Sequence, residues 1–479
     1  MHKKREGLSA WQLTMLALGT VIGGSFFVGV SVAIQAAGAG VILAFMAGGA
    51  LVYVILYALS EMTVDDPAPG SFRTFAEKAF GPAAGFIVGW IYWTGLTLAM
   101  SSEAVAVSGL LKNWFPEVSL PILGAGIILF VTVLNLVGAN RLSKLESGLA
   151  AIKLIAIVGF VVVGVAILSG IMPGVWQSVE GLGAQPVFPH GLGGLAGSML
   201  MVMFAYAGFE VIGLAASESD NPQRTIPRAI TYTTFGLVAL YVGSVACLLL
   251  LVPAADAVST AQSPFVAALT QQNFSLAGSV MDVVLVTAIL STMLAAMFGL
   301  GRMVRSLAAD GHAPSWLNDE ADIPRRGIAF SGVAMLGGLG LSLFLPEEVY
   351  LFLVSAGGFA LLFSYLVILL THYKLRSKQG CSSQGKCQLP GFPYTSWLAI
   401  ASTVLIIASM PLIPGQGLGL FAGLSFLTFF LVLYLAIRSR TKKLAKENAF
   451  WGKTASLEAQ FEISQELTPE KASRRRKDK

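Results

Sequence analysis

The feature that most constrains this chain is the absence of any charged side chain from residues 7–60. Such a stretch is long enough to cross a lipid bilayer twice, since one helical crossing needs about 20 apolar residues. The composition agrees, because only 12% of the 479 residues are charged, against about 25% in a soluble domain. Backbone groups in lipid must be satisfied within the protein, so we expect membrane-spanning helices.

Apolar segments of this length recur along the chain and predict about twelve transmembrane helices. The segments cover residues 11–37, 40–62, 83–111, 120–138, 148–172, 193–216, 230–253, 277–308, 328–345, 348–372, 396–413 and 416–438. The first segment is too long for a secretory signal peptide and lacks a cleavage site. The sequence therefore predicts an all-α integral membrane protein.

The basic residues predict how these helices are oriented. If the N-terminus is placed inside the cell, Lys112 is the only one of the 31 Lys and Arg residues in a predicted outer loop. Basic residues are retained on the cytoplasmic side of membrane proteins. We therefore expect a multi-pass protein of the cell membrane with both termini cytoplasmic. The basic tail is interpreted as a solvated segment, with contact to anionic lipid as the alternative.

The sequence lacks the motifs of an ATP-binding protein or an enzyme. The "GKT" at residues 452–454 is not a phosphate-binding loop, because Glu447 stands where that loop needs a glycine. The four histidines are scattered and none has a Ser, Cys or acid at a useful spacing. We expect no enzyme, no ATP site, no metal or other cofactor, and no nucleic-acid partner.

The first span contains the stretch "GTVIGGSFFVG", which is a poor sequence for a continuous helix. One interpretation is helix packing, because Gly19 and Gly23 form a G-x-x-x-G pair that lets two helices approach closely. The other is a break at Gly23, Gly24 and Ser25, near the middle of the bilayer. The free N–H groups of the second half-helix would then face an anion, as in the discontinuous helices of transporters.

A second weak point lies in the sixth span, at Tyr206, Ala207 and Gly208, and Glu210 follows it. Broken helices five spans apart predict two inverted repeats. The predicted organisation is a cytoplasmic N-terminus (1–10), a first repeat (11–172), a second repeat (193–372), two further helices (396–438) and a cytoplasmic basic tail (439–479).

Five stretches of the sequence, read together, resemble one known family. They are "LGTVIGGSFFVG", "PAPGSFRTFAEKAFGPAAGFIVGWIYW" at 67–93, "FAYAGFEVIGLAASESDNPQRTIPRAI" at 204–230, "SPFVAAL" at 263–269 and "GRMVRSLAADGHAP" at 301–314. The chain resembles the amino acid–polyamine–organocation (APC) permeases, and within them the bacterial amino acid transporters. The resemblance covers roughly residues 7–440.

This resemblance implies a LeuT-type fold with 5+5 inverted repeats and two extra helices, and secondary active uptake of an amino acid by alternating access. It implies a site for the substrate carboxylate at the backbone of Ile22, Gly23, Gly24 and Ser25. It implies a site for the amino group at the sixth-helix break, formed by Phe204, Ala205, Tyr206 and Gly208. One departure is Ser25, which stands where the family usually has a second glycine.

The resemblance also suggests the driving ion. In proton-coupled relatives a fifth-helix lysine stands where sodium sits in sodium-coupled ones, and Lys153 matches that position. Ser291 and Thr292 of the eighth span offer nearby hydroxyl groups. The sequence therefore predicts coupling to the proton motive force through Lys153. The alternative is a lysine that snorkels to the inner face.

Two acidic residues inside spans leave two interpretations each. Glu103 is a candidate for contact with the substrate or a proton path, or else a hydrogen-bonded structural acid. Glu210 either ties the unwound segment to a neighbour or relays a proton. No basic residue lies in the predicted pocket, which favours a neutral amino acid. An amino acid exchanger and a membrane receptor that senses amino acids without moving them remain as alternatives.

Overall fold

A computed structural model of the chain describes residues 9–65, 70–137, 139–172, 188–210, 212, 222–251, 263–272, 274–319, 321, 323–344, 348–380 and 389–439. The predicted tail beyond residue 439 lies outside these residues, as do residues 1–8 and most of the loop after the sixth span. The chain divides into two units, residues 1–427 and 428–479. All regular secondary structure of the described residues is helical.

The helices are numbered here in chain order. They are α1 (Ala10–Val21), α2 (Gly24–Phe27), α3 (Gly29–Ala37), α4 (Val41–Asp65), α5 (Phe72–Phe80), α6 (Pro82–Lys112), α7 (Leu120–Val137), α8 (Ala139–Leu168), α9 (Gly191–Tyr206), α10 (Pro222–Leu251), α11 (Pro264–Gln271), α12 (Ser275–Ala309), α13 (Arg325–Gly340), α14 (Val349–Gln379), α15 (Tyr394–Ser409) and α16 (Gln416–Ser439).

The predicted all-helical membrane architecture is confirmed. Ten stretches of the described residues are long and apolar enough to cross a bilayer, and one of them, Gly24–Val64, contains α2, α3 and α4. Two shorter apolar helices, α1 and α9, belong to the two spans in which the sequence predicts a break. The predicted fifth span begins at residue 148, and so does the apolar stretch Gly148–Leu168, although the helix that contains it, α8, begins at Ala139. The predicted tenth span ends at residue 372, whereas helix α14 continues to Gln379. Hydropathy marks only the apolar part of a helix, and these helices continue through polar turns.

The first span is broken where the glycine pair predicts it. Ser9 begins α1 with a reciprocal capping box to Gln12, and the helix ends at Val21. Ile22 and Gly23 are then extended, and α2 starts at Gly24. Gly23 also allows α12 to pack closely against the break, because a Cβ at this position would lie 2.8 Å from the Thr292 hydroxyl oxygen. The break and the close approach predicted for this stretch therefore occur together.

The sixth span is broken as well. Helix α9 ends at Tyr206, and Gly208 follows with a φ of +102°, a conformation that favours glycine. A Cβ on Gly208 would lie 3.2 Å from the Thr20 carbonyl oxygen, at the end of α1. The two breaks therefore contact each other in the interior of the protein.

Helix α6 forms the centre of the helical bundle. In its most apolar stretch 83% of the residues are buried, against 22% in α7, which therefore presents most of its surface outward. The most extensive helix contact is between α6 and α14. The two helices approach closely at Gly95, where a Cβ would lie only 2.6 Å from the Cβ of Ala360. Small residues commonly allow such contacts between membrane helices.

A buried arginine joins two of the sequence stretches quoted above. Arg73, on α5, is 1% exposed and forms an ion pair with Asp310 after α12. Its guanidinium also donates to the Ser306 hydroxyl at 3.0 Å and lies 3.4 Å from the His312 ring. Burial lowers the pKa of His312, so the imidazole stays neutral beside this cation at pH 7. The contact anchors α5 to the end of α12.

Gly95→Ala tests the contact between α6 and α14. The added methyl group must push the two helices apart, and overpacking of this kind costs about 1–3 kcal/mol. The matched control is Gly109→Ala on the same helix, where, apart from the backbone of its own helical turns, nothing lies within 4 Å of the new Cβ. Thermal unfolding of the purified protein should show a lower Tm for Gly95→Ala alone. Equal Tm values for the two variants would contradict this packing.

Candidate functional site

The broken end of α1 is held by a buried lysine. Because α1 ends at Val21, the Ile22 carbonyl has lost its partner in the helix and needs another. Lys153 on α8 is 0% exposed, and its ammonium donates to this carbonyl at 2.9 Å. The Thr292 hydroxyl of α12 lies 3.2 Å from the same oxygen and 3.5 Å from the lysine Nζ. Lys153 therefore points into the break and does not snorkel to the membrane surface.

The structure brings together only part of the predicted proton-coupling group. Lys153 and Thr292 share the Ile22 carbonyl. Ser291 lies beside Thr292 in the chain and is buried, but its hydroxyl has no hydrogen-bond partner among the described residues. Thr292 is thus the hydroxyl of α12 that reaches the break.

The start of α2 is occupied by an acidic side chain. Glu103 on α6 is 2% exposed, and its Oε1 accepts a hydrogen bond from the Ser25 amide at 2.8 Å. Its Oε2 lies against Gly24, where any side chain would collide with it. The amide that the resemblance assigns to the substrate carboxylate is therefore bonded to a carboxylate of the protein itself.

The predicted amino-group site at the sixth-helix break is partly engaged in internal hydrogen bonds. The Phe204 carbonyl accepts from the Ala207 amide at 3.1 Å. The Ala205 carbonyl accepts from the Tyr241 hydroxyl at 2.9 Å. Each carbonyl oxygen has a second lone pair, so both can still accept from a ligand. The Tyr206 hydroxyl donates instead to the Phe45 carbonyl of α4, so the Tyr206 side chain packs between α9 and α4.

Glu210 links the second break to the surrounding helices. Its Oε1 accepts from the Tyr92 hydroxyl of α6 at 2.8 Å. Its Oε2 accepts from the Gly208 amide at 3.1 Å and lies 3.4 Å from the Tyr365 hydroxyl of α14. This geometry matches the interpretation in which Glu210 ties the unwound segment to its neighbours.

Three tyrosines at the breaks escaped the sequence reasoning: Tyr92, Tyr241 and Tyr365. Besides its hydrogen bond to the sixth-helix break, Tyr241 stacks on Phe26 of α2 with ring centroids 4.0 Å apart. A signal was present in the sequence, since a tyrosine hydroxyl inside an apolar span needs a hydrogen-bond partner. Which partner it takes depends on how the helices pack.

A cavity of about 800 Å³ lies close to the first break. Among its lining residues are Val28, three positions after Ser25, and Val105 and Ala106, which follow Glu103 on α6. Tyr350 at the start of α14 also lines it. The Glu103–Ser25 contact therefore lies within about one helical turn of a space large enough for a small molecule. In the described part of the chain, no group of three or more His, Cys, Asp or Glu side chains could hold a metal ion.

Known proteins of similar sequence match nearly the whole length of this chain. The family model described as amino acid permease matches residues 12–449. Similar proteins include a probable GABA permease of Pseudomonas aeruginosa, which is 32% identical over 94% of this chain and 95% of its own length. A gamma-aminobutyric acid permease of Bacillus subtilis is 30% identical over 91% of this chain and 94% of its own. The aromatic amino acid transport protein AroP of Escherichia coli is 30% identical over 87% of this chain and 92% of its own length.

Tyr92→Phe and Tyr365→Phe test the anchoring of Glu210. Removing the Tyr92 hydroxyl deprives a buried carboxylate of its shorter side-chain hydrogen bond, at a cost of about 1–3 kcal/mol. Tyr365→Phe removes a contact at 3.4 Å and should cost less than ~1 kcal/mol. Thermal unfolding of the purified variants should rank Tyr92→Phe as the less stable. The reverse order would show that Glu210 is held differently.

Proposed function

We propose, on the premise that this chain belongs to the amino acid permease family, that it takes up a neutral amino acid together with a proton by alternating access. The family makes it a secondary active amino acid permease and a multi-pass protein of the cell membrane. The similar proteins are permeases, so the alternative of a sensing receptor is not favoured. Proton coupling and the choice of substrate are the parts proposed here.

One observation carries the proposal of proton coupling: the Lys153 ammonium lies 2.9 Å from the Ile22 carbonyl at the break. This oxygen and the Thr292 hydroxyl form a small polar site in an apolar surrounding. The ammonium charge fills that site, which supports the hypothesis that it replaces a sodium ion. Loss of the lysine proton removes the charge that holds the broken end of α1. Protonation of Lys153 would therefore favour the conformation in which its ammonium holds the Ile22 carbonyl.

The charges near the break support a substrate without net charge. Lys153 and Glu103 bring one positive and one negative group to its two sides. A zwitterionic amino acid adds no net charge to this balance, whereas an acidic or basic one does. The similar proteins named for GABA and for aromatic amino acids support the same class, since these compounds are neutral zwitterions.

The proposed arrangement places both termini in the cytoplasm and requires no ATP and no resident cofactor. The near absence of Lys and Arg from the predicted outer loops supports this orientation. The proton motive force would supply the energy. We propose no enzymatic activity for this chain.

Lys153→Ala tests the coupling in liposomes that contain the purified protein. A panel of labelled amino acids identifies the substrate of the wild type under an inward proton gradient. Lys153→Ala should lower accumulation of that substrate at least tenfold, because no ammonium remains at the Ile22 carbonyl to load and release a proton. The matched control is Lys378→Ala, an exposed lysine near the end of α14, which should accumulate substrate like the wild type.

Three outcomes would contradict the proposal. Accumulation that persists in Lys153→Ala under a proton gradient would remove Lys153 from the coupling mechanism. Wild-type uptake that depends on unlabelled amino acid inside the liposomes and proceeds without a proton or sodium gradient would identify an exchanger. Accumulation driven by a sodium gradient in the wild type would show that the lysine does not replace the ion.

A further inference from the structure

We propose that Glu103 is a built-in competitor of the substrate carboxylate. In this account its side chain holds the Ser25 amide whenever no substrate carboxylate does, and substrate binds by displacing it. The inference rests on the proposed function, because it takes the Ser25 amide as the place where an amino acid presents its carboxylate. It assigns Glu103 a role in setting affinity and specificity at that site.

The contact between Glu103 and the Ser25 amide is of the kind that a substrate carboxylate would make. The Glu103 Oε1 accepts from the Ser25 amide at 2.8 Å, and both residues are buried. Hydrogen bonds to a carboxylate are roughly twice as strong as those between neutral groups. Glu103 therefore stabilises the start of α2 in the same way as a carboxylate from a substrate would.

Two carboxylates cannot share this position. A backbone amide has one hydrogen to donate, and the Glu103 oxygen already accepts it. The space is also limited, because Gly24 lies directly against Oε2 and a Cβ there would be 2.8 Å from the Ile289 side chain. Entry of a substrate carboxylate therefore requires Glu103 to leave.

The structure also makes that departure feasible. The Oε2 of Glu103 is buried and has no hydrogen-bond partner among the described residues. A half-satisfied buried carboxylate is easier to displace than a fully bonded one, since an unpaired polar atom already carries a desolvation cost. A cavity of about 800 Å³ lies nearby, lined by Val105 and Ala106, which follow Glu103 on α6, and by Tyr350.

Glu103→Gln tests the proposal through the binding of analogues. The amide oxygen of glutamine is a weaker and uncharged acceptor, so the competitor is weakened while the shape is kept. Two analogues of the transported amino acid serve as inhibitors of uptake in liposomes: one lacks the ammonium group and the other lacks the carboxylate. We expect the inhibition constant of the ammonium-free carboxylic acid to fall about five- to tenfold. That of the decarboxylated amine should not fall.

Glu210→Gln is the matched control, because it changes a buried glutamate at the other break and should not improve binding of the carboxylic acid. If Glu103→Gln yields no folded protein, Glu103→Asp replaces it, since the shorter side chain cannot keep the 2.8 Å contact to Ser25 in the same geometry. The carboxylic acid should again bind more tightly. Unchanged or weaker binding of the carboxylic acid in the Glu103 variant would overturn the proposal.

The two proposals fail in different ways. Wild-type protein that takes up none of the amino acids would contradict the proposed function, and this inference with it. Wild-type uptake driven by protons, together with a Glu103 variant that does not bind the carboxylic acid more tightly, would overturn the inference alone.

Discussion

The structure depends on how a helix can be interrupted inside a membrane. Breaking the first span at Ile22 and Gly23 frees a carbonyl and an amide that lipid cannot satisfy. The protein meets this demand with charged side chains from two other helices: the Lys153 ammonium at the carbonyl and the Glu103 carboxylate at the Ser25 amide. The groups that stabilise the break are the ones to which we assign, as proposals, the exchange of a proton and displacement by a zwitterion.

The second break is stabilised by a different arrangement and touches the first. Gly208 approaches the end of α1 so closely that a side chain would press on the Thr20 carbonyl. Glu210 joins this segment through Tyr92 to α6, the helix that also carries Glu103. A shift at one break must therefore be accommodated at the other. This contact gives a direct physical route by which a change at the first break can reach the second.

Much of this architecture could be predicted from the sequence, because membrane burial imposes strong rules. Paired glycines and a lysine inside apolar spans are costly, so Gly23, Gly24 and Lys153 stood out. The break is present, and Lys153 lies near Thr292, while the coupling role predicted for this pair stays a prediction. The bond from Ser25 to Glu103 and the one from Tyr241 to the Ala205 carbonyl were not predicted. Each joins residues far apart in the chain and depends on helix packing, which uniform apolar faces do not reveal.

The central claim is that protonation of a group at the break is coupled to amino acid uptake. The most direct measurement follows pH inside sealed liposomes that contain the purified protein and a trapped pH-sensitive dye. The account predicts that adding the transported amino acid outside acidifies the interior in proportion to its uptake, and that Lys153→Ala abolishes this acidification. Uptake of the amino acid by the wild type without any acidification of the interior would contradict the account.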